Sequence, residues 1–333
     1  MGGSGTCNIL STMTMRQPAL LLLLLTTAYS FSFQVASKHQ SNAVKPVLSM
    51  FYCGFGGDFC GQSTDDDVNA GTTNVILAFV NTSPDGSVFV DKDNYPTDLQ
   101  AKWQAAGKKV LISVGGQNGN WAYIFATQDS TNNFVNSVKS IIATHGLDGV
   151  DIDIESYMVT PRTVANMINQ LRGAIGTSKL LIVSPECVAV YQGVADYSAD
   201  TAGQAYNYFV NVIKLADKSI DYYQPQAYNN WYDVSGGSLD YLKDVYLNWR
   251  NLPGVLSWEQ PIANFTGVSG DKLLMGVLAS TSAGGSSYYY SPDVIAQFRQ
   301  WLADNNYPLK GFMMWDSHWD SLNGKAISNA CTQ

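Results

Sequence analysis

The sequence predicts a single (β/α)8 barrel, and three observations carry the prediction. Short runs rich in Val, Ile, Leu, Phe or Met recur from residue 44 to the end of the chain, seven in all, and a more polar eighth segment lies at 221–227. Mixed segments of helical character separate them, as in repeated βα units. The glycines after the first run, Gly54, Gly56 and Gly57, lack the GxGxxG spacing that a doubly wound nucleotide-binding sheet carries at this point.

In chain order the strands are read at 47–52, 74–80, 109–114, 149–154, 180–184, 221–227, 272–277 and 311–315. Each has the length that barrel strands need, and all but the sixth are apolar runs. The sixth is the exception in composition, because Pro225 cannot donate to a ladder. Helices are read at 96–106, 132–144, 163–175, 205–216, 239–251 and 292–305, with shorter pieces elsewhere. No internal repeat, low-complexity tract or linker follows residue 43, so residues 44–333 read as one catalytic-sized domain.

Residues 1–30 read as a signal peptide. Arg16 precedes an apolar block at 19–25, and Ala28-Tyr29-Ser30 supplies a small-x-small cleavage pattern. The first dozen residues, ahead of Met13 and Met15, read as an upstream extension, and 31–43 as a flexible segment. The apolar block is too short for an ordinary membrane span. Secretion to the extracellular space, with no membrane attachment after cleavage, is the expectation. Cys7 would leave with the signal peptide. Of the four remaining cysteines, Cys53 and Cys60 could close a short loop, while three histidines in the whole chain give no zinc pattern. Asn81 and Asn264 begin glycosylation sequons.

Only 14% of residues are charged, the net charge is -8, and 12% are aromatic, including 8 Trp and 19 Tyr. That balance excludes a phosphate-backbone binder, which needs clustered Lys and Arg. It suits a neutral carbohydrate, whose rings stack on aromatic faces while its hydroxyls seek carboxylates and amides.

The segment that carries chemistry is Asp148-Gly149-Val150-Asp151-Ile152-Asp153-Ile154-Glu155. Strand alternation puts Asp151, Asp153 and Glu155 on one face and Val150, Ile152 and Ile154 on the other. In a barrel the apolar set meets the helices and the acids point inward, where branched apolar residues are usual. Crowded carboxylates resist joint ionisation, which raises at least one pKa, as a catalytic acid near neutrality needs. A calcium or magnesium site is the competing use of such acids, and a solvated edge strand a weaker one. Asp148 has the opposite parity and is expected to be structural.

DGVDIDIE matches the DxxDxDxE signature at every defined position, and through it the chain resembles glycoside hydrolase family 18, the chitinase family. Ser113-Val114-Gly115-Gly116 resembles that family's SxGG motif, with Ser113 structural and Gly115 and Gly116 turning beside the sugar. Gln226-Ala227-Tyr228-Asn229 resembles its QxYN element, and Trp315 the indole that floors the cleavage subsite. The resemblance spans about 47–319. It implies Glu155 as acid and then base, Asp153 as holder of the substrate acetamido group, Asp151 as the residue tuning Asp153, and Tyr228 as a restraint on the acetamido carbonyl. Gln226, Asn229 and Tyr52 are further implied substrate contacts. Ala227 departs from the bulkier residue common there.

Layout is nearest to the small class III members. Larger members insert an α+β domain between the seventh strand and its helix, and the 278–291 connection is too short for one, so an open groove is expected. The implied protein is a monomeric, secreted chitinase acting on chitin or N-acetylglucosamine oligosaccharides, with no metal, no cofactor and no nucleic-acid partner. An endo-β-N-acetylglucosaminidase acting on N-glycans and a non-hydrolytic chitin-binding lectin are the alternatives.

Overall fold

Among the residues described by the computed structural model (45–54, 61–195, 197–230 and 234–333), eight parallel strands form the wall. They are β1 Val47–Tyr52, β2 Asn74–Leu77, β3 Lys109–Gly115, β4 Gly149–Asp153, β5 Leu180–Val183, β6 Tyr222–Tyr223, β7 Leu274–Leu278 and β8 Gly311–Trp315. Their order is β6-β5-β4-β3-β2-β1-β8-β7, with chain neighbours paired side by side. Parallel bridges Tyr223 to Leu273 and Gln226 to Gly276 join the two ends of that order. The expected (β/α)8 barrel is therefore the fold.

The helices are α1 Thr97–Ala105, α2 Trp121–Ile124, α3 Gln128–His145, α4 Pro161–Ile175, α5 Tyr208–Ala216, α6 Leu239–Arg250, α7 Pro292–Asp304, α8 Ser317–Leu322 and α9 Ala326–Thr332. Local chemistry starts several of them. Thr127, Thr160, Ser238 and Ser291 each accept a backbone N–H of the first turn, and Pro161 and Pro292 sit where a missing N–H costs nothing.

Several boundaries differ from the sequence reading, among them α3, expected from 132, which begins at Gln128 behind its Thr127 cap. The sixth strand, expected at 221–227, is regular only at Tyr222–Tyr223. Pro225 has no N–H to give, and pairing resumes beyond it, with Gln226 N–H bonding Pro185 O at 2.9 Å. The second strand ends at Leu77 rather than at residue 80. Helix α5 begins at Tyr208, not 205, because Asn207 is left-handed at φ 59°.

Two apolar cores follow from strand alternation. Outward residues such as Met50, Val75, Ile112, Val150, Ile152 and Val277 pack against the helices. Inward residues Phe51, Ile76, Leu111, Ile182, Leu278 and Met313 fill the barrel. Above and among them lie inward polar positions, Ser49, Asn74, Ser113, Asp151, Ser184 and Gln224, all buried. Ala227 is fully buried in the outer core, so its departure in size concerns helix packing.

Between β7 and α7 there is only 279–291, with one short turn of helix at Ser286–Tyr288 and no inserted domain. Cys53 is disulfide-bonded, and Cys187 and Cys331 are buried thiols. Cys60, its expected partner, lies outside the described residues, as do the expected signal peptide and the 31–43 segment. Among the described residues no helix is long and apolar enough to cross a membrane, and no group of three or more His, Cys, Asp or Glu is placed to hold a metal ion.

Candidate active site

Strand β4 builds the site. Its register places Asp151 beside Ser113 and Ile182, and Asp153 beside Gly115. Asp151 is fully buried, and each of its oxygens accepts a hydroxyl at 2.6 Å, from Ser113 on one side and Ser184 on the other. Gln224 in turn donates to the Ser184 hydroxyl at 3.0 Å. Burial pushes Asp151 up to about 7, against the pull of the two serines. The hydroxyls thus supply part of what water would give a carboxylate in the open.

Asp153, one pleat higher, is 3% exposed. Its carboxyl is driven well above the usual range by burial first, then by the charges of Glu155 and Asp151. It shares a hydrogen bond with Glu155 that raises Asp153 and lowers Glu155. Glu155 lies two residues beyond the regular strand, half-buried, and keeps the inward parity of the ladder. Burial raises its pKa as well.

Gln226 ties these acids together from β6's side. Its Nε2 donates to Asp153 Oδ1 at 2.9 Å, to Glu155 Oε1 at 3.1 Å and to the Ser184 carbonyl at 3.1 Å. Two hydrogens are shared among three acceptors. Tyr228, 5% exposed, points its hydroxyl toward Met313 Sδ at 3.9 Å. Its phenol is raised by burial and then by Asp153, Glu155 and Asp151, so it stays protonated beside the ladder.

These residues open into a cleft of about 800 Å³ at the C-terminal ends of the strands. Trp315 lines it, stacked on Phe79 at 5.9 Å and edge-on to Phe51 at 5.4 Å. Gly115 and Gly116 also line it, at φ 121° and 74°. A Cβ on Gly115 would fall 1.9 Å from the Asp153 carbonyl, and one on Gly116 would fall 2.7 Å from the Phe79 ring. Glycine is therefore required for both backbone angle and space. Asn229 is an exposed cleft residue whose Oδ1 accepts Gly285 N–H at 2.7 Å.

Two sequence expectations lie elsewhere. Asp148 sits below the ladder, accepting Val110 N–H at 2.9 Å, Lys109 at 3.0 Å and Gln104 at 3.1 Å, a brace between β3, α1 and β4. Tyr52, expected as a substrate contact, is not among the cleft residues. Its ring packs edge-on against Trp103 of α1 at 4.9 Å, and its hydroxyl donates to Ser63 O at 2.9 Å. The parity of β1 explains this: Met50 and Tyr52 face the helices, and Phe51 faces the barrel.

The family model described as glycosyl hydrolases family 18 matches residues 51–286. The chain belongs to that family. Similar relatives include a protein named chitinase from Enterococcus faecalis, 26% identical over 252 residues, covering 69% of this chain and 66% of the relative. Another is chitinase D of Niallia circulans, 26% identical over 352 residues, covering 91% of this chain and 65% of the relative. The chain thus spans just under two thirds of these relatives. A solved structure described as putative chitinase A from Streptomyces coelicolor matches with a TM-score of 0.67 and 25% identity, over 86% of this chain and 97% of that one.

This family 18 cleft also contains residues that the sequence reading passed over: Phe79, Asp91, Asn118, Glu186 and Asn230. Glu186 carried a usable signal. It continues the inward parity of Ile182 and Ser184 at the end of β5, where barrel enzymes place functional side chains.

Proposed function

We propose that this family 18 glycoside hydrolase is a secreted, monomeric chitinase that cleaves β-1,4 bonds within N-acetylglucosamine polymers with retention of configuration. The observation that carries the proposal is the inward ladder Asp151, Asp153 and Glu155 beneath an aromatic-floored cleft. Only the last of these reaches the cleft half-buried, with its pKa raised.

The cleft holds Glu155 in a hydrogen bond shared with Asp153, and family 18 enzymes use the substrate's 2-acetamido group as nucleophile. When the acetamido N–H reaches Asp153, a new donor favours the ionised form of that carboxyl and moves the shared proton to Glu155. Glu155 then gives that proton to the glycosidic oxygen as the bond to the anomeric carbon breaks. The acetamido carbonyl oxygen bonds to the same carbon and closes an oxazolinium ring. Asp153 faces the developing positive charge. Tyr228, held protonated, donates to the acetamido carbonyl and limits its rotation, so less entropy is lost at the reacting step. Water then enters on the leaving-group side, Glu155 takes its proton, and the ring opens. Trp315, fixed by Phe79 and Phe51, offers a flat apolar floor for the sugar.

The short 279–291 connection leaves the groove without the wall an inserted domain would build, which supports internal cleavage. The test is product analysis on N-acetylglucosamine hexamer and on a high-mannose glycoprotein, with Glu155→Gln alongside. Cleavage of the hexamer at internal bonds, abolished in Glu155→Gln with binding retained, is expected. Turnover of the glycoprotein alone would replace this reading with N-glycan release, and binding without turnover would replace it with a lectin.

A further inference from the structure

Glu186 takes no part in the bond changes of the reaction, yet it shares the cleft with Glu155 and is held more firmly than a free surface acid. Its backbone is bridged to Gln226, whose side chain bonds Glu155, so the three residues are fixed in one frame. Its Oε2 accepts the hydroxyl of Tyr157, two residues beyond Glu155. Tyr157 is itself packed edge-on against Tyr208 at 5.1 Å, and Tyr208 is tied to the Val159 carbonyl at 2.7 Å. Burial and then the charge of Glu186 keep the Tyr157 phenol protonated, so it remains a donor.

We propose that Glu186, clamped by Tyr157, is a positioning residue for the reaction, whose fixed negative charge holds the catalytic proton on Glu155. This inference rests on the hydrolase reading of the same cleft. The groups that face Glu155 are Asp153 and, below it, Asp151 from β4, Tyr157 from the segment after β4, Glu186 from the end of β5, and Gln226 and Tyr228 from the end of β6. No Lys, Arg or His lines the cleft among the described residues, so nothing cationic there offsets the charge. The charge of Glu186 is one of the causes that raise Glu155, after burial. It acts in both half-reactions. It favours the protonated acid before cleavage, and it makes the Glu155 carboxylate a better base toward water afterwards.

The test is the pH profile of kcat/KM on a chromogenic N-acetylglucosamine oligomer for wild type, Glu186→Gln and Glu186→Ala. Loss of one nearby like charge should move the basic limb to lower pH by about half to one unit, by similar amounts in both variants, so that the deficit grows with pH. A limb that stays in place, or a loss equal at every pH, overturns the proposal and makes Glu186 a shape or binding residue. An inactive wild type would instead defeat the hydrolase reading, whatever the variants do.

Discussion

Gln226→Met is the substitution that probes the ladder most selectively, because it keeps the side chain's length and removes its hydrogens. Gln226 Nε2 serves Asp153 at 2.9 Å and Glu155 at 3.1 Å. A hydrogen bond to a charged group contributes about 1.5–3 kcal/mol. With two hydrogens shared among three acceptors, the low end applies to each, about 1.5 kcal/mol, which corresponds to about one pH unit. The bond favours the ionised form of Glu155, so its loss raises the acid further. The basic limb of the kcat/KM profile should then move up by about one unit, opposite in sign to the effect of Glu186→Gln. Because Asp153 and Glu155 titrate as a pair, the profile reports a shift of the pair. The same loss should reduce kcat at least tenfold, since the Glu155 carboxyl is no longer aimed. The assay is a pH series on a chromogenic oligomer, with thermal unfolding as a fold control. A limb that stays or moves down in a folded variant would refute the assignment of Gln226 as a donor to the acid.

Other predictions concern the cleft and the buried acids. Trp315→Ala, tested by calorimetry in a Glu155→Gln background, should weaken oligomer binding by about 1–3 kcal/mol through loss of the flat ring face, leaving the fold cooperative. Unchanged affinity would remove Trp315 from the subsite. Gly115→Ala should fail to accumulate as soluble protein or lose activity altogether, given the 1.9 Å approach to the Asp153 carbonyl. Gly107→Ala, also at positive φ but facing open space, should fold, with a cost of about 1 kcal/mol. Equal behaviour of the two would contradict the packing argument. Burial raises Asp316 to about 8, and its Oδ2 has no hydrogen-bond partner. Since the folded pKa exceeds the unfolded one, its contribution is present in full below about pH 4 and is lost as pH rises toward 8. Asp316→Asn should therefore gain stability over wild type between pH 5 and pH 8, by up to about 1.4 kcal/mol per pH unit in urea unfolding. A pH-independent difference would show that Asp316 is not buried as described.

The barrel was legible because seven apolar runs and an eighth, more polar segment with helical stretches between them have few other solutions, and seven of the strands lie where the apolar runs lie. The sixth was not, because 221–227 carries no Val, Ile, Leu or Phe to mark a buried face and Pro225 interrupts the ladder. The acid ladder could be read from parity alone, since Val150, Ile152 and Ile154 fix which face is buried outward. Phe51 and Tyr52 gave no such clue: two adjacent aromatics at a strand end suit either face, and only the register of β1 against its neighbours decides. Phe79 and Glu186 lie just past the ends of β2 and β5, where periodicity stops but the chain still borders the cleft. Which serine reaches Asp151 is a cross-strand fact. Ser113 could be suspected from its glycine neighbours, whereas Ser184 depends on how β5 is registered beside β4.

In the proposed reaction Glu155 works with the substrate's acetamido group in place of an enzyme nucleophile. Proton NMR of the first products from N-acetylglucosamine hexamer tests this most directly, recorded before mutarotation. Attack from the acetamido side followed by water predicts new reducing ends in the β configuration. Predominant α product would mean a single inverting displacement by water, and would contradict the roles assigned to Asp153, Tyr228 and Glu155.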